Sequence, residues 1–442
     1  MLTAFVRAFQ TPDLRKKMLV TLGLIALFRF GASLPTPGID EKNVAFCANY
    51  ATSAGSSTAG VLAIVNLLSG QALLHLSVFA LGIMPYITAS IILQLLTVVI
   101  PRLETLKQEG QAGQSKITQY TRYLTVGLAL LQSTGYIELA RSGTLFNGCG
   151  VAGDNPIIPN SGVFSIATMV ITMVAGTTVI MWMGELITDR GVGNGMSVLI
   201  FTTVISVIPG ELLLIYRDRG AFVAAVALVV VVFIVAFVVF MEQAQRRIPV
   251  QYAKRMVGRR MYGGTSTYIP MKVNQAGVIP VIFASSLLYI PVLAAQLFQH
   301  PNKPQGWVTW IEKYIETTSS SFYMLAFFLL IIGFTYFYVS ITFNPVEVAD
   351  NMKKYGGFIP GIRPGRSTAE YLRYVLDRLT APGSVYLAII ALFPLVALAS
   401  IGVSNQFPFS GVSLLIIVGV GLDTVKQIES QLQQRNYEGF LR

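Results

Sequence analysis

Between Asn43 and Pro101 the chain runs for 59 residues without an Asp, Glu, Lys or Arg, and the apolar stretch Val61 to Ile100 inside it is about forty residues long. No simple membrane topology accommodates that length. One helical crossing takes roughly twenty residues, and two would return the chain to the side it started from. The flanking charges forbid the return. Arg15, Lys16 and Lys17 precede the first apolar block, Met18 to Leu34, and Arg102, Lys107 and Lys116 follow the long one. Basic residues near span ends mark the cytoplasmic side, so the two blocks together make only two crossings. The first block uses one. The second therefore holds one crossing and a surplus of about fifteen to twenty residues, most simply a half-helix that enters and turns back. Such backbone survives at membrane depth only where it is buried in protein or lines a cavity, so the break Ser69-Gly70-Gln71 predicts a hole.

Of the 442 residues 53% are hydrophobic and 12% charged, the balance of a polytopic membrane protein. Beyond Met18 to Leu34 and about His75 to Ile100, spans are expected near 122 to 140, 163 to 184, 195 to 210, 221 to 241, 276 to 298, 322 to 343, 384 to 401 and 409 to 425. Ten spans put both termini on one side. The charge distribution agrees: of 32 Lys and Arg, 25 fall on the N-terminal side, six on the other, and Arg29 lies within a span. The net charge of +11 is thus mostly a cytoplasmic basic surface, which topology and attraction to anionic lipid would explain. Two long loops that hold 13 of the 25 fit that explanation less well.

The basic N-terminus followed by an apolar stretch is read as a retained first span, since the apolar part is too long for a signal peptide and ends without a small-x-small cleavage site. Arg29 is costly in lipid, so it should face protein or snorkel to an interface. Cys47 and Cys149 both fall in loops assigned to the outer side. Free thiols are the default for so few cysteines, while an oxidising exterior permits a bridge, and the sequence leaves the choice open.

Several chemistries lack their residues. No GxxxxGK[ST] loop occurs, so no nucleotide hydrolysis is expected. Gly191-Val192-Gly193-Asn194-Gly195 sits between two spans without a preceding strand and reads as a tight turn or a close helix approach. His75 and His300 are the only histidines, and no cluster has metal-ligand spacing. Asp423 is one residue late for a GxGD protease motif and has no second membrane aspartate to share a proton with. The acids nearest the spans, Glu138, Glu185, Asp377 and Asp423, sit close to or beyond span ends rather than at the midplane where coupled transport needs them. What remains is a non-enzymatic, cavity-forming protein without metal or cofactor, whose energy comes from something docking on a basic cytoplasmic face.

Gly82-Ile83-Met84-Pro85-Tyr86-Ile87-Thr88-Ala89-Ser90-Ile91-Ile92, Gln245-Arg246-Arg247-Ile248-Pro249 and Gly361-Ile362-Arg363-Pro364-Gly365 resemble the SecY family, the central channel subunits of the bacterial protein-export translocon. Gly110-Gln111-Ala112-Gly113 and Lys272-Val273-Asn274-Gln275-Ala276-Gly277-Val278-Ile279-Pro280 extend the resemblance over nearly the whole chain. It implies an all-α polytopic membrane protein of ten transmembrane helices in two inverted five-helix halves, with a re-entrant plug helix. The halves would be 1–215, with spans one to five and the plug at about 61–74, and 216–442, with spans six to ten and basic loops at about 242–274 and 344–380.

The resemblance also implies roles for particular residues. The plug would include Val61, Asn66, Ser69 and Gly70. The pore ring would be Ile83, Ile87, Met196, Ile200, Ile282 and Ile416, apolar side chains that dewet a constriction yet hold no passing polypeptide. Met196 departs from the family's usual isoleucine. Thr88, Gln132 and Asn274 would close a lateral gate between the helices starting near Leu76 and Gln275, through interhelical hydrogen bonds of about 1 kcal/mol each. Lys254, Arg255, Arg259, Arg260 and Arg363 would dock the ribosome, through rRNA phosphates, and the SecA motor. Small membrane subunits resembling SecE and SecG, signal sequences and anionic lipid complete the implied partners. The implied location is the bacterial plasma membrane, with both termini cytoplasmic. The function implied is a passive channel that passes unfolded secretory chains across the membrane and releases membrane segments sideways into it. A secondary transporter with inverted repeats is the competing class, and it would need a buried coupling acid that does not appear. A membrane enzyme would need a catalytic pair, also absent.

Overall fold

The computed structural model describes residues 9–44, 46–47, 69–70, 72, 75–142, 157–159, 162–252, 255–257, 260–262, 266–297, 306–316, 320–401 and 411–438. The expected plug residues Val61 and Asn66, and the docking residues Lys254 and Arg259, lie outside these.

The first half comprises α1 (Pro12–Ser33), α2 (Met84–Val99), α3 (Pro101–Gln108), α4 (Gln111–Ser142) and α5 (Val163–Arg190). Helix α6 (Gly195–Gln243) carries both the fifth and the sixth expected spans, broken at Gly220, whose φ of 85° is a conformation that glycine adopts without strain. The expected division of the halves at 215/216 falls inside α6, just before that break. The second half adds α7 (Ile279–Leu297), the short α8 (Gly306–Ile311) with a π turn at Glu312–Glu316, α9 (Ser321–Thr342), α10 (Pro345–Lys354), α11 (Arg366–Ile401) and α12 (Gly411–Glu438).

All ten expected spans carry helix. Among the described residues, five helices are long and apolar enough to cross a membrane, and the pair α2 and α3, bent by 105°, makes a sixth if the two are counted as one span. Residues 195–210 and 279–292 are apolar but shorter. Helix α1 begins with Asp13, Arg15, Lys16 and Lys17 and carries Arg29, while α4 is rich in Thr, Gln and Gly, so their length is helical but their mean hydropathy is lower.

The second span starts later than expected. Residues 75–83 are turn apart from an antiparallel bridge of Ser77 to Pro35, with Leu76 at φ 44° and Gly82 at φ 55°, and the helix begins only at Met84, where Pro85 supplies a preset φ at a first-turn position that needs no N–H. The turn is pinned rather than loose: Thr36 donates its N–H and its hydroxyl to the Leu76 carbonyl, and Val78 N–H donates to Leu34 O.

Packing links the halves. Helix α12 lies against α6, and α7 touches α2 and α4 of the first half as well as α9 and α11 of its own. Most buried apolar side chains form one continuous core spanning both halves. The Gly191–Gly195 segment is both a tight turn and a close approach: Gly193 has φ 88°, and a methyl on Gly195 would lie 1.8 Å from Gly184 O of α5.

The basic loops contain structure beyond the all-helical expectation. Strands β1 (Gln245–Tyr252), β4 (Ser266–Lys272) and β5 (Gly357–Phe358) form a three-stranded antiparallel sheet in the order β4-β1-β5. Strands β2 (Arg255–Val257) and β3 (Arg260–Tyr262) make a separate two-stranded ladder. Along β1, Arg247 and Pro249 are exposed while Ile248 and Val250 are buried, the period-two pattern of a half-buried strand. Its buried face joins a second core with Met271, Leu372, Val375 and Leu376, seating the sheet on α11.

Cys47 is disulfide-bonded, which answers the question the sequence left open. The chain's one other cysteine is Cys149, which lies outside the described residues.

Candidate functional site

Five of the six expected ring residues are buried in the continuous core: Ile83 and Ile87 one helical turn apart at the start of α2, Ile200 in α6, Ile282 in α7 and Ile416 in α12. Four separate elements thus bring an isoleucine to one core, and the Ile87 N–H donates to Ile83 O, fixing that pair on one face. Met196 is only partly buried and packs against the same core. Its thioether lies over Gly184 of α5, where a methyl would meet Sδ at 2.4 Å. The missing Cβ of Gly184 leaves a slot that a flexible thioether fills and a branched isoleucine would not.

The expected gate residues Thr88, Gln132 and Asn274 are all buried, on α2, on α4 and just before α7, and these three elements meet. They do not hydrogen-bond to one another, contrary to the expected mutual closure. The Thr88 hydroxyl donates to Met84 O in its own helix at 2.9 Å, a back-bond that uses its one proton and leaves it only acceptor capacity toward a neighbour. The Asn274 amide donates to the Glu242 carboxylate at 2.5 Å and to Gly277 O at 3.2 Å. Its oxygen Oδ1 is buried without a hydrogen-bond partner among the described residues.

Among the described residues, a polar contact does cross this seam, between the hydroxyls of Tyr136 in α4 and Tyr289 in α7, both buried. Sequence reasoning missed it, although the spacing was there. Tyr136 follows Gln132 by four residues and Tyr289 follows Ile282 by seven, which places each on the stripe of an expected functional residue. Glu242 was missed because, as the first polar residue after the apolar run 221–241, it reads as an interface charge.

Of the plug, Ser69 and Gly70 are described. Ser69 is buried, and Gly70, at φ 68°, sits between α1 and α6: a methyl there would lie 3.0 Å from an Arg29 guanidinium nitrogen and 3.3 Å from Thr203 Cβ. Arg29 therefore faces protein, as its cost in lipid requires.

The two basic loops form a single platform. Strand β1, from the first, pairs with β5, from the second, through Gln251 with Phe358 and Tyr252 with Gly357. Arg255 and Arg260 lie in the β2–β3 ladder, opposite Tyr262 and Val257. Arg363 is exposed in a turn closed by Gly361 at φ 84° and Gly365 at φ 105°, and the Thr368 hydroxyl donates to its carbonyl at 2.9 Å. Exposed Arg247 stacks 4.9 Å over the Tyr268 ring on neighbouring β4. Among the described residues no group of three or more His, Cys, Asp or Glu is placed to hold a metal ion.

Comparison with known proteins gives this arrangement a context. The SecY family model matches residues 77–425. The protein translocase subunit SecY of Streptomyces coelicolor is 63% identical over 446 residues, covering 100% of each chain. The subunit of the same name from Mycobacterium bovis is 57% identical over 447 residues, again covering 100% of each. Among solved structures, one described as "The structure of a protein conducting channel" superposes with a TM-score of 0.63 at 15% identity, covering 94% of this chain and 92% of that one. Sec61 in the canine ribosome-channel complex from the endoplasmic reticulum superposes with a TM-score of 0.59 over the same shares. With full-length relatives at this identity and a family model spanning most of the chain, the protein belongs to the SecY family.

Proposed function

We propose that this chain is the passive channel subunit of a protein translocase, through which unfolded polypeptides cross the membrane and from which apolar segments leave sideways into lipid. One observation supports this most directly: four separate elements deliver isoleucines to one core between the halves, where apolar side chains exclude water and ions without holding a passing chain. Ile83, Ile87, Ile200, Ile282 and Ile416, with Met196, form the ring, and the segment about 61–74 is the plug that closes it. The chain is not an enzyme, and the work of translocation is done by its partners. The division into halves lies near 215/216, inside α6.

The seam between α2 and α4 on one side and α7 on the other is the lateral gate, lined by Thr88, Gln132 and Asn274. Lys254, Arg255, Arg259, Arg260 and Arg363 serve the docking of a ribosome and a SecA-type motor. The pairing of β1 with β5 supports treating both basic loops as one docking surface. Small subunits of the SecE and SecG type accompany the chain, signal sequences engage the seam, and anionic lipid meets the basic face. The location is the bacterial plasma membrane with both termini cytoplasmic, in line with the asymmetry of Lys and Arg.

The test is reconstitution. Vesicles carrying the chain with its small subunits, given a SecA-type motor and ATP, should protect a signal-bearing precursor from external protease. Protection equal to that of vesicles lacking the chain would reject the proposal.

A further inference from the structure

Helices α4 and α7 meet, and among the described residues one side-chain hydrogen bond joins them. The hydroxyls of Tyr136 and Tyr289 bond to each other while both rings are buried in the main core. Tyr289 lies ten residues into α7, ~15 Å along the axis from its start, so this contact is well removed from the Asn274 end. A tyrosine hydroxyl buried in such surroundings needs a partner, and each ring supplies the other's.

We propose that Tyr136 and Tyr289 form a hydroxyl latch across the lateral gate and help set how strong a signal segment must be to open it. The proposal rests on reading this seam as the gate. Parting α4 from α7 breaks the bond and strands two hydroxyls in an apolar cleft until an arriving segment or water reaches them. That penalty biases the seam toward closure by an amount a sufficiently apolar segment can overcome. The proton of the Thr88 hydroxyl goes to Met84 O within α2, so Thr88 donates nothing across the seam.

The latch makes a prediction that simple packing does not. Tyr136→Phe or Tyr289→Phe alone leaves one buried hydroxyl without its partner in the closed state, so each single change loosens the seam. The double change removes both polar groups and leaves two rings of nearly unchanged shape, which restores much of the closed state's advantage. Export of a reporter with a weakened signal is measured relative to the same reporter with an intact signal, in cells with matched amounts of channel. Each single variant should raise that ratio by about five-fold, and the double variant should fall back toward the parent. Additive effects in the double variant would overturn the latch in favour of plain packing, as would three ratios equal to the parent's. Asn274→Leu run alongside separates the two levels of the argument. If it changes the ratio while the tyrosine variants do not, the latch alone is wrong; if none of the four variants changes it, the gate assignment is wrong as well.

Discussion

The Asn274 side-chain amide donates to the Glu242 carboxylate across 2.5 Å, with both residues buried, and so ties the last turn of α6 to the segment that leads into α7. Removing one partner of a buried hydrogen bond leaves the other buried and unsatisfied.

Glu242→Ala should therefore destabilise the purified channel by about 2 kcal/mol, because it leaves the Asn274 amide with only its 3.2 Å contact to Gly277 O. Glu242→Gln keeps an acceptor oxygen in place and should recover at least half of the loss. Unfolding followed by denaturant titration in detergent checks both, and equal losses for Ala and Gln would show that the hydrogen bond is not what matters there.

Asn274→Leu removes the same bond from the gate side. It should increase export of precursors with defective signals while leaving a buried carboxylate at Glu242 without its amide. Unchanged export of those precursors would count against a gate role for Asn274.

Gly195→Ala sets two effects against each other. Alanine is the better helix former, by about 1 kcal/mol in a helix interior and less at the first helical position, where Gly195 sits. The added methyl would lie 1.8 Å from Gly184 O, a clash with backbone that no rotamer relieves. Overpacking of this kind costs about 1–3 kcal/mol, so a net loss of stability is expected in thermal unfolding of the purified protein. A variant at least as stable as the parent would mean that α5 and α6 can separate there at little cost.

Ile282→Asn places an amide in the expected ring. Polar groups wet an apolar constriction, so ion conductance through the closed channel in planar bilayers should rise, and more than for Ile234→Asn elsewhere in the core. Equal conductance in the two variants would remove Ile282 from the ring.

Arg363→Glu reverses an exposed charge whose backbone is held by two left-handed glycines, so the turn itself should persist. Motor-driven export should fall by about tenfold or more, by the scale on which a docking charge pair contributes. Normal export together with normal membrane-protein insertion would assign Arg363 to shaping the loop alone.

The run of membrane-length helices was legible because bilayer thickness imposes a length on apolar segments. Finer features turned on local backbone chemistry. The second span begins at Met84 rather than near His75 because Leu76 and Gly82 take positive φ and Pro85 starts the helix, and an apolar run carries no sign of where its hydrogen bonds begin. The sheet in the basic loops was hidden because only Ile248 and Val250 alternate inward on β1, amid charges and Pro249. Candidate gate residues could be named by resemblance, but neither the partner of Asn274 nor the Tyr136–Tyr289 pair could. Glu242 lies 32 positions from Asn274 and Tyr289 lies 153 from Tyr136, distances that only the folded chain closes.

Strand β4 ends at Lys272 and α7 begins at Ile279, so only six residues separate the basic sheet from the helix that flanks the seam. Those six have little slack. The Val273 N–H donates to Ala244 O at 3.0 Å, Asn274 is held by Glu242, and Gly383 of α11 comes so close that a methyl on it would lie 2.4 Å from Val273 O. The connection behaves as a stiff crank rather than a tether. A sheet displaced by a bound partner should therefore carry the first turn of α7 with it.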